Sequence, residues 1–190
     1  MRRLPHRIRA VLTRFVRDRR GLTLVEFAFL VPVMTAITLC SIEIGRYALL
    51  NQKLQNAATS MADLAARDGA LTVAQLDSLF AAVPSITQPF DFENQGRAIV
   101  TSVHADEDGD PEVYWQRGGG GTLTATSLIG APGNNANIPP ELPARAGDTI
   151  IVAEIFYEYH PLFDILLEQK VLRRTAYVRP RIGLLTTLDP

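Results

Sequence analysis

The sequence predicts an α+β fold in which one long N-terminal helix packs on a small, mainly antiparallel sheet. Three patterns point to it. Residues 22–44 form an apolar run, spacings of three and four continue beyond it as far as Leu64, and alternation takes over from Ala98 onward. The corresponding division is a basic leader over 1–21, a transmembrane helix over 22–44 and an amphipathic continuation over 45–69. An extracytoplasmic α+β domain follows over 70–190, with a Gly/Pro-rich loop over 118–147.

The apolar run is interrupted between Leu22 and Ile44 only by Thr23, Glu26, Thr35, Thr38, Ser41 and Glu43. At ~1.5 Å per residue it makes a helix of about 34 Å, enough for a bilayer core of about 30 Å. Pro32 removes one backbone donor, which a membrane helix tolerates. Charge gives an orientation. The net charge of -1 hides eight Arg against Asp18 within residues 1–20 and an acidic remainder, an asymmetry that holds the N-terminus in the cytoplasm and sends the body across the membrane. Nucleic-acid binding is not expected of the Arg block, because Phe15 is its only aromatic partner.

Beyond the span, Tyr47, Leu50, Leu54, Ala57, Met61 and Leu64 recur at helical spacing among polar residues, and Gly69 after Arg67-Asp68 is the expected stop. Most of this stripe is expected to pack on the chain's own domain, leaving partner contacts to the first half of the helix. Thr72 to Gln75 has the form of a capping box opening a short helix with Leu76, Leu79, Phe80 and Val83 on its apolar face and Pro84 as its end. Residues 98–103 and 113–115 flank the acidic segment 106–110 as a hairpin. Asp148 to Tyr159 is the clearest strand, with one side in the core. A last strand alternates from Leu172 to Ile182, with Pro180 marking an edge or an end.

Few residues are arranged for chemistry. Cys40, the single cysteine, excludes an intramolecular disulfide. Leu39 before it does not suit a lipoprotein site, no small-x-small site closes the apolar run, and Glu26 interrupts the core that twin-arginine export needs. Asp106, Asp108 and Asp110 have calcium-loop spacing, but Gly109 comes too early and Arg117 stands where the closing carboxylate belongs, so an acidic turn is expected. Gly118 to Gly121 lacks the Lys-Ser/Thr of a phosphate loop, and His6, His104 and His160 lack ligand spacing. No catalytic residue, metal or cofactor is expected.

The segment with the most information is Arg19-Arg20-Gly21 followed by Leu22-Thr23-Leu24-Val25-Glu26-Phe27, because a carboxylate inside a membrane helix is costly and calls for a use. A basic leader, a Gly and a Glu at the fifth residue of an apolar helix resemble the prepilin signal of type IV pilins. Ile42-Glu43-Ile44-Gly45-Arg46-Tyr47-Ala48 and Leu54-Gln55-Asn56-Ala57-Ala58 further resemble the TadE/TadF pseudopilins of tight-adherence (Flp) pilus systems. The likeness is strong over 19–66 and weaker over 148–182, where Tyr159-His160-Pro161 and the Arg-rich last strand carry it; residues 70–147 carry none.

The resemblance implies a pilin-like fold and a minor pilin-like subunit acting by helix packing. It implies cleavage between Gly21 and Leu22 by an aspartyl prepilin peptidase, an assembly register at Glu26 and Phe27, and a membrane-exit motif of Glu43, Gly45, Arg46 and Tyr47. Glu26 would pair with the new Leu22 ammonium of a neighbouring subunit, or else lie solvated or paired with its own terminus. The implied partners are the prepilin peptidase, the major pilin, sister pseudopilins, the inner-membrane assembly platform and the lipid bilayer. The implied place is a bacterial inner membrane, or a pilus, with the C-terminal domain outside. The alternative is an unprocessed single-pass anchor displaying a binding or sensor domain.

Overall fold

A computed structural model describes residues 20–67, 69–142, 145–163, 167–181 and 183–189. The basic leader up to Arg19, the expected helix terminus at Asp68 and the strand position Ile182 lie outside the described residues. The fold is α+β: a long N-terminal helix followed by a small antiparallel sheet.

Helix α1 runs from Arg20 to Ala65 without a break, and Pro32 lies inside it. Its 46 residues extend roughly 69 Å. From Thr23 to Thr38 every side chain is exposed, including Leu24, Phe27, Phe29, Val33 and Ile37, so this half has no apolar partner among the described residues. The hydroxyls of Thr35, Thr38 and Ser41 donate to the carbonyls of Val31, Met34 and Ile37, each at 2.8 Å. Such back-bonding satisfies hydroxyls that lipid would otherwise leave unpaired.

The second half of α1 is committed to the domain. Leu50, Leu54, Ala57, Ala58, Met61, Ala62, Ala65 and Ala66 are buried, while Leu64 is 44% exposed. Leu64 was expected on the packed stripe. A strict three-four alternation drifts off a 3.6-residue helix, and the small Ala58, Ala62 and Ala65 keep the inner face close to its neighbours instead. The helix closes with Ala66 donating to Ala62 at 3.0 Å and Arg67 to Leu64 at 3.4 Å, a tightened last turn ahead of Gly69.

Strand β1 (Leu71–Thr72) leads into α2 (Val73–Thr87). Its capping box is formed: Thr72 Oγ1 accepts from the Gln75 amide at 3.2 Å, and Gln75 Oε1 accepts from the Thr72 amide at 2.8 Å. Pro84 does not end α2, contrary to expectation. Losing one donor in the last turn is tolerated, and Thr87 Oγ1 donates to Val83 O at 3.0 Å. The helix stops at Gln88, whose place before Pro89 favours the extended conformation it adopts, with ψ 141°.

After a single turn of helix, α3 (Phe92–Gln95), come β2 (Gly96–Ala105), β3 (Pro111–Gly119), β4 (Thr149–Tyr159) and β5 (Lys170–Val178). They pair antiparallel in the order β3-β2-β4-β5. The hairpin expected around 106–110 is β2–β3, and Asp106 Oδ1 accepts from the amides of Asp108 (3.0 Å) and Asp110 (2.8 Å). That carboxylate organises the acidic turn. A bulge between Ser102 and Val103 leaves Tyr114 as the extra residue, so Trp115 faces the helices while Val113 faces the other side.

Two sequence expectations change at the sheet. Strand β4 is buried on both faces, not one, because the irregular segment after β3 folds back over the side remote from α1. Val103, Val113, Ile129, Ala136, Ile150 and Val152 form a second apolar cluster there. Beneath that segment the fully buried Glu154 receives Arg173 Nε at 2.8 Å, the Leu128 amide at 3.2 Å and the Ser127 hydroxyl. Strand β3 also extends through Gly119, so the irregular segment begins at Gly120. The glycines are there for space: a Cβ at Gly119 would meet the Phe80 ring at 2.7 Å, and one at Gly121 would meet Gly96 O at 2.2 Å. The edge strand β5 ends at Val178, before Pro180. A two-residue strand β6 (Leu188–Asp189) pairs parallel with β1, and Leu185 O accepts from Ser102 Oγ and Trp115 Nε1 at 2.9 and 2.8 Å. These tertiary contacts had no local sequence signal.

Candidate membrane-exit and assembly site

Two glutamates on α1, 17 positions or about 26 Å apart along the axis, stand in opposite situations. Glu26 lies in the bare half of the helix. It is exposed, and it has no hydrogen bond or ion pair among the described residues. Phe27 beside it is 61% exposed. Gly21 is the second residue of α1, and a Cβ added there would meet nothing within 4 Å. Leu22 belongs to the same first turn.

Glu43 is 1% exposed, although Ile42 and Ile44 on either side of it are open. Helical phase explains the contrast. Residues 43, 46, 47, 50 and 54 lie on the side facing β4 and β5, whereas Gly45 points to open space. Its carboxylate caps the turn that leaves β4: Oε2 accepts from the amides of Leu162 at 2.9 Å and Phe163 at 3.2 Å, and Oε1 accepts from the Tyr159 hydroxyl. Three donors compensate the burial of a charged group.

Arg46, one turn further, donates to His160 O at 3.1 Å and lies 5.6 Å from the centre of the Phe90 ring. Tyr47 meets Tyr159 edge-on at 5.2 Å, and Lys170 Nζ sits 4.9 Å over the Tyr47 ring. Asn51 continues the seam, accepting from Arg174 and donating to Tyr47 O at 2.7 Å. The exit motif and the Tyr159-His160-Pro161 turn, 116 positions apart at Glu43 and Tyr159, therefore form one interlock. Of the sequence-predicted exit residues, Glu43, Arg46 and Tyr47 meet here and Gly45 does not. Leu162, Phe163 and Lys170 were not foreseen, since an amide donor carries no side-chain signal.

The model of the TadE-like protein family matches residues 21–63. That stretch of the chain is TadE-like. The match supports a protein associated with Tad pilus systems, and no curated protein or solved structure matches the chain. The TadE-like segment holds Gly21, Glu26 and Glu43 on one helix, whereas the turn that receives Glu43 comes from β4, far outside it. The helix from Thr23 onward is long and apolar enough to cross a membrane.

The interlock has a pH signature. Burial, then the hydrogen bond to Glu43, then the charge of that carboxylate hold the Tyr159 hydroxyl well above the usual phenol range; Arg46 pulls the other way. Burial also raises Tyr157 and Tyr177. In the unfolded chain these phenols ionise near pH 10. Above that pH the unfolded state has lost protons that the folded state keeps, so the contribution of these phenols to stability is fully present below about pH 10 and falls beyond it, by about 1.4 kcal/mol per pH unit for Tyr159. Denaturant melts between pH 8 and 11.5, both roughly spanning the phenol range, are expected to show this decline. Tyr159→Phe should make it shallower, leaving the part due to Tyr157 and Tyr177; an unchanged slope in that variant would count against the assignment.

Proposed function

We propose that this chain is a minor pilin-like (pseudopilin) subunit for Tad/Flp-type pilus assembly, processed after Gly21 and acting by helix packing without catalysis. The observation that carries the reading is the division of labour along α1. Its second half is spent on its own domain, while its first half presents an apolar surface with one carboxylate, Glu26, that has no partner among the described residues. The TadE-like match beginning at Gly21 supports it.

On this reading the Arg-rich terminus stays in the cytoplasm, residues 22–44 span the inner membrane, and the domain from residue 70 lies outside. A prepilin peptidase opens the first turn of α1 and cuts the Gly21–Leu22 bond; the missing side chain at Gly21 lets an extended backbone enter a narrow cleft. The end of a helix opens at little cost, because its first four amides have no intrahelical acceptor. The freed Leu22 ammonium of one subunit then pairs with Glu26 of the next. Major pilin, sister pseudopilins and the inner-membrane platform are the partners.

The test is incubation of the membrane-inserted chain with a prepilin peptidase, followed by N-terminal sequencing. A new terminus at Leu22 is expected, and Gly21→Val should block it. An unaltered Met1 terminus would favour the unprocessed anchor.

A further inference from the structure

We propose that the turn following β4 is a second lipid contact, with the Leu162 side chain inserted at the outer boundary of the bilayer core, so that the domain rests on the membrane instead of swinging from the helix. This rests on α1 spanning the bilayer. Depth is the first support. Counting from Thr23, a core of about 30 Å takes up about 20 helical residues and ends near Ile42 and Glu43. Leu162 is fixed at that level, because its amide donates to Glu43 Oε2 at 2.9 Å.

Exposure is the second. Leu162 is 56% exposed, and Ile42 and Ile44, flanking Glu43, are 50% and 52% exposed. A lone exposed leucine is ordinary on a protein surface. Three large exposed aliphatic side chains near one level, two of them running on from the bare apolar helix below, offer apolar surface to acyl chains. The third support is the layer above them. Arg46 and Lys170 lie one turn further from the core, held against Phe90 and Tyr47. Cations at that height meet lipid phosphates while their stems cover apolar surface. Glu43 is the joint between the two contacts: by capping the Leu162 and Phe163 amides it leaves no unpaired backbone donor at either position facing the hydrocarbon.

The experiment uses the full chain in vesicles of phosphatidylethanolamine and phosphatidylglycerol, part of the lipid being brominated near the headgroup end of its acyl chains. Tryptophan is introduced by Leu162→Trp, by Phe29→Trp within the helix and by Leu128→Trp, an exposed position on the segment covering the far face of the sheet. The signal of the native Trp115, which is 9% exposed, is subtracted. Leu162→Trp is expected to emit to the blue of Leu128→Trp and to lose intensity in brominated vesicles as Phe29→Trp does, while Leu128→Trp does not. Quenching of Phe29→Trp but not of Leu162→Trp overturns the proposal and leaves the span standing. If neither is quenched, the span itself fails and the proposal with it. Blue emission at Leu162→Trp without bromine quenching means that protein covers the site, and this also overturns it. The substituted side chain is exposed, so the core is untouched.

Discussion

Glu43→Ala is expected to destabilise the protein by about 2–4 kcal/mol and to loosen the domain from the helix. The deletion leaves the Tyr159 hydroxyl, buried like Glu43 itself, and the part-buried Leu162 and Phe163 amides without their acceptor. Each buried donor left unmet costs about 1–3 kcal/mol, and water entering the gap recovers part of the sum. Against a typical domain stability of about 5–15 kcal/mol this is a large loss. Glu43→Gln keeps one oxygen acceptor but aims an amide donor at another donor, so roughly half the loss is expected. Tyr159→Phe removes one donor and leaves the carboxylate its two amides, for a cost of about 1 kcal/mol. Because the two side chains share a bond, their losses should not add. Denaturant melts of the full chain in detergent, followed by Trp115 fluorescence, measure all three. A Glu43→Ala midpoint matching the unmodified protein would remove the interlock as a stabilising feature.

That interlock also marks where sequence reading stops. Helix α1 was legible because its signal is local: an uninterrupted apolar run followed by three-four spacing needs no knowledge of what packs against it. The same holds for the capping box at Thr72 and the acidic turn at Asp106, each a contact within four residues. Pro84 misled because one missing donor in a final turn costs little, and the conformation of Gln88 decides where α2 ends. Burial of both faces of β4 was hidden because the covering segment has no periodicity; it is held by Glu154 reaching Ser127 and Leu128, contacts 26 and 27 positions apart. Glu43 was placed in an exit motif from its neighbours in sequence, but the donors that satisfy it lie 116 to 120 positions away. Glu43 and Glu154 are thus residues whose meaning is tertiary.

Glu26→Ala is expected to leave the domain's melting unchanged and to abolish piliation in cells that depend on this chain. The two halves of the expectation have separate physical grounds. Stability should not move because Glu26 is exposed and unpartnered among the described residues, about 26 Å along the axis from Glu43. Membrane insertion should, if anything, improve, since a carboxylate costs up to about 2.5–3.5 kcal/mol at the centre of a span and less near its end, where Glu26 stands. An exposed carboxylate that contributes nothing to its own fold is free to pair with a group outside the chain. On the proposed reading that group is the Leu22 ammonium of a neighbouring subunit, and truncating one partner of a desolvated pair is costly, about 3–5 kcal/mol. Glu26→Asp keeps the charge but shortens its reach and should retain partial assembly; Glu26→Gln should fail like alanine. The measurement is pilus yield beside membrane-inserted protein level for each variant. Normal piliation with Glu26→Ala would show that the charge is not the register, and lost insertion would show that it serves the helix itself.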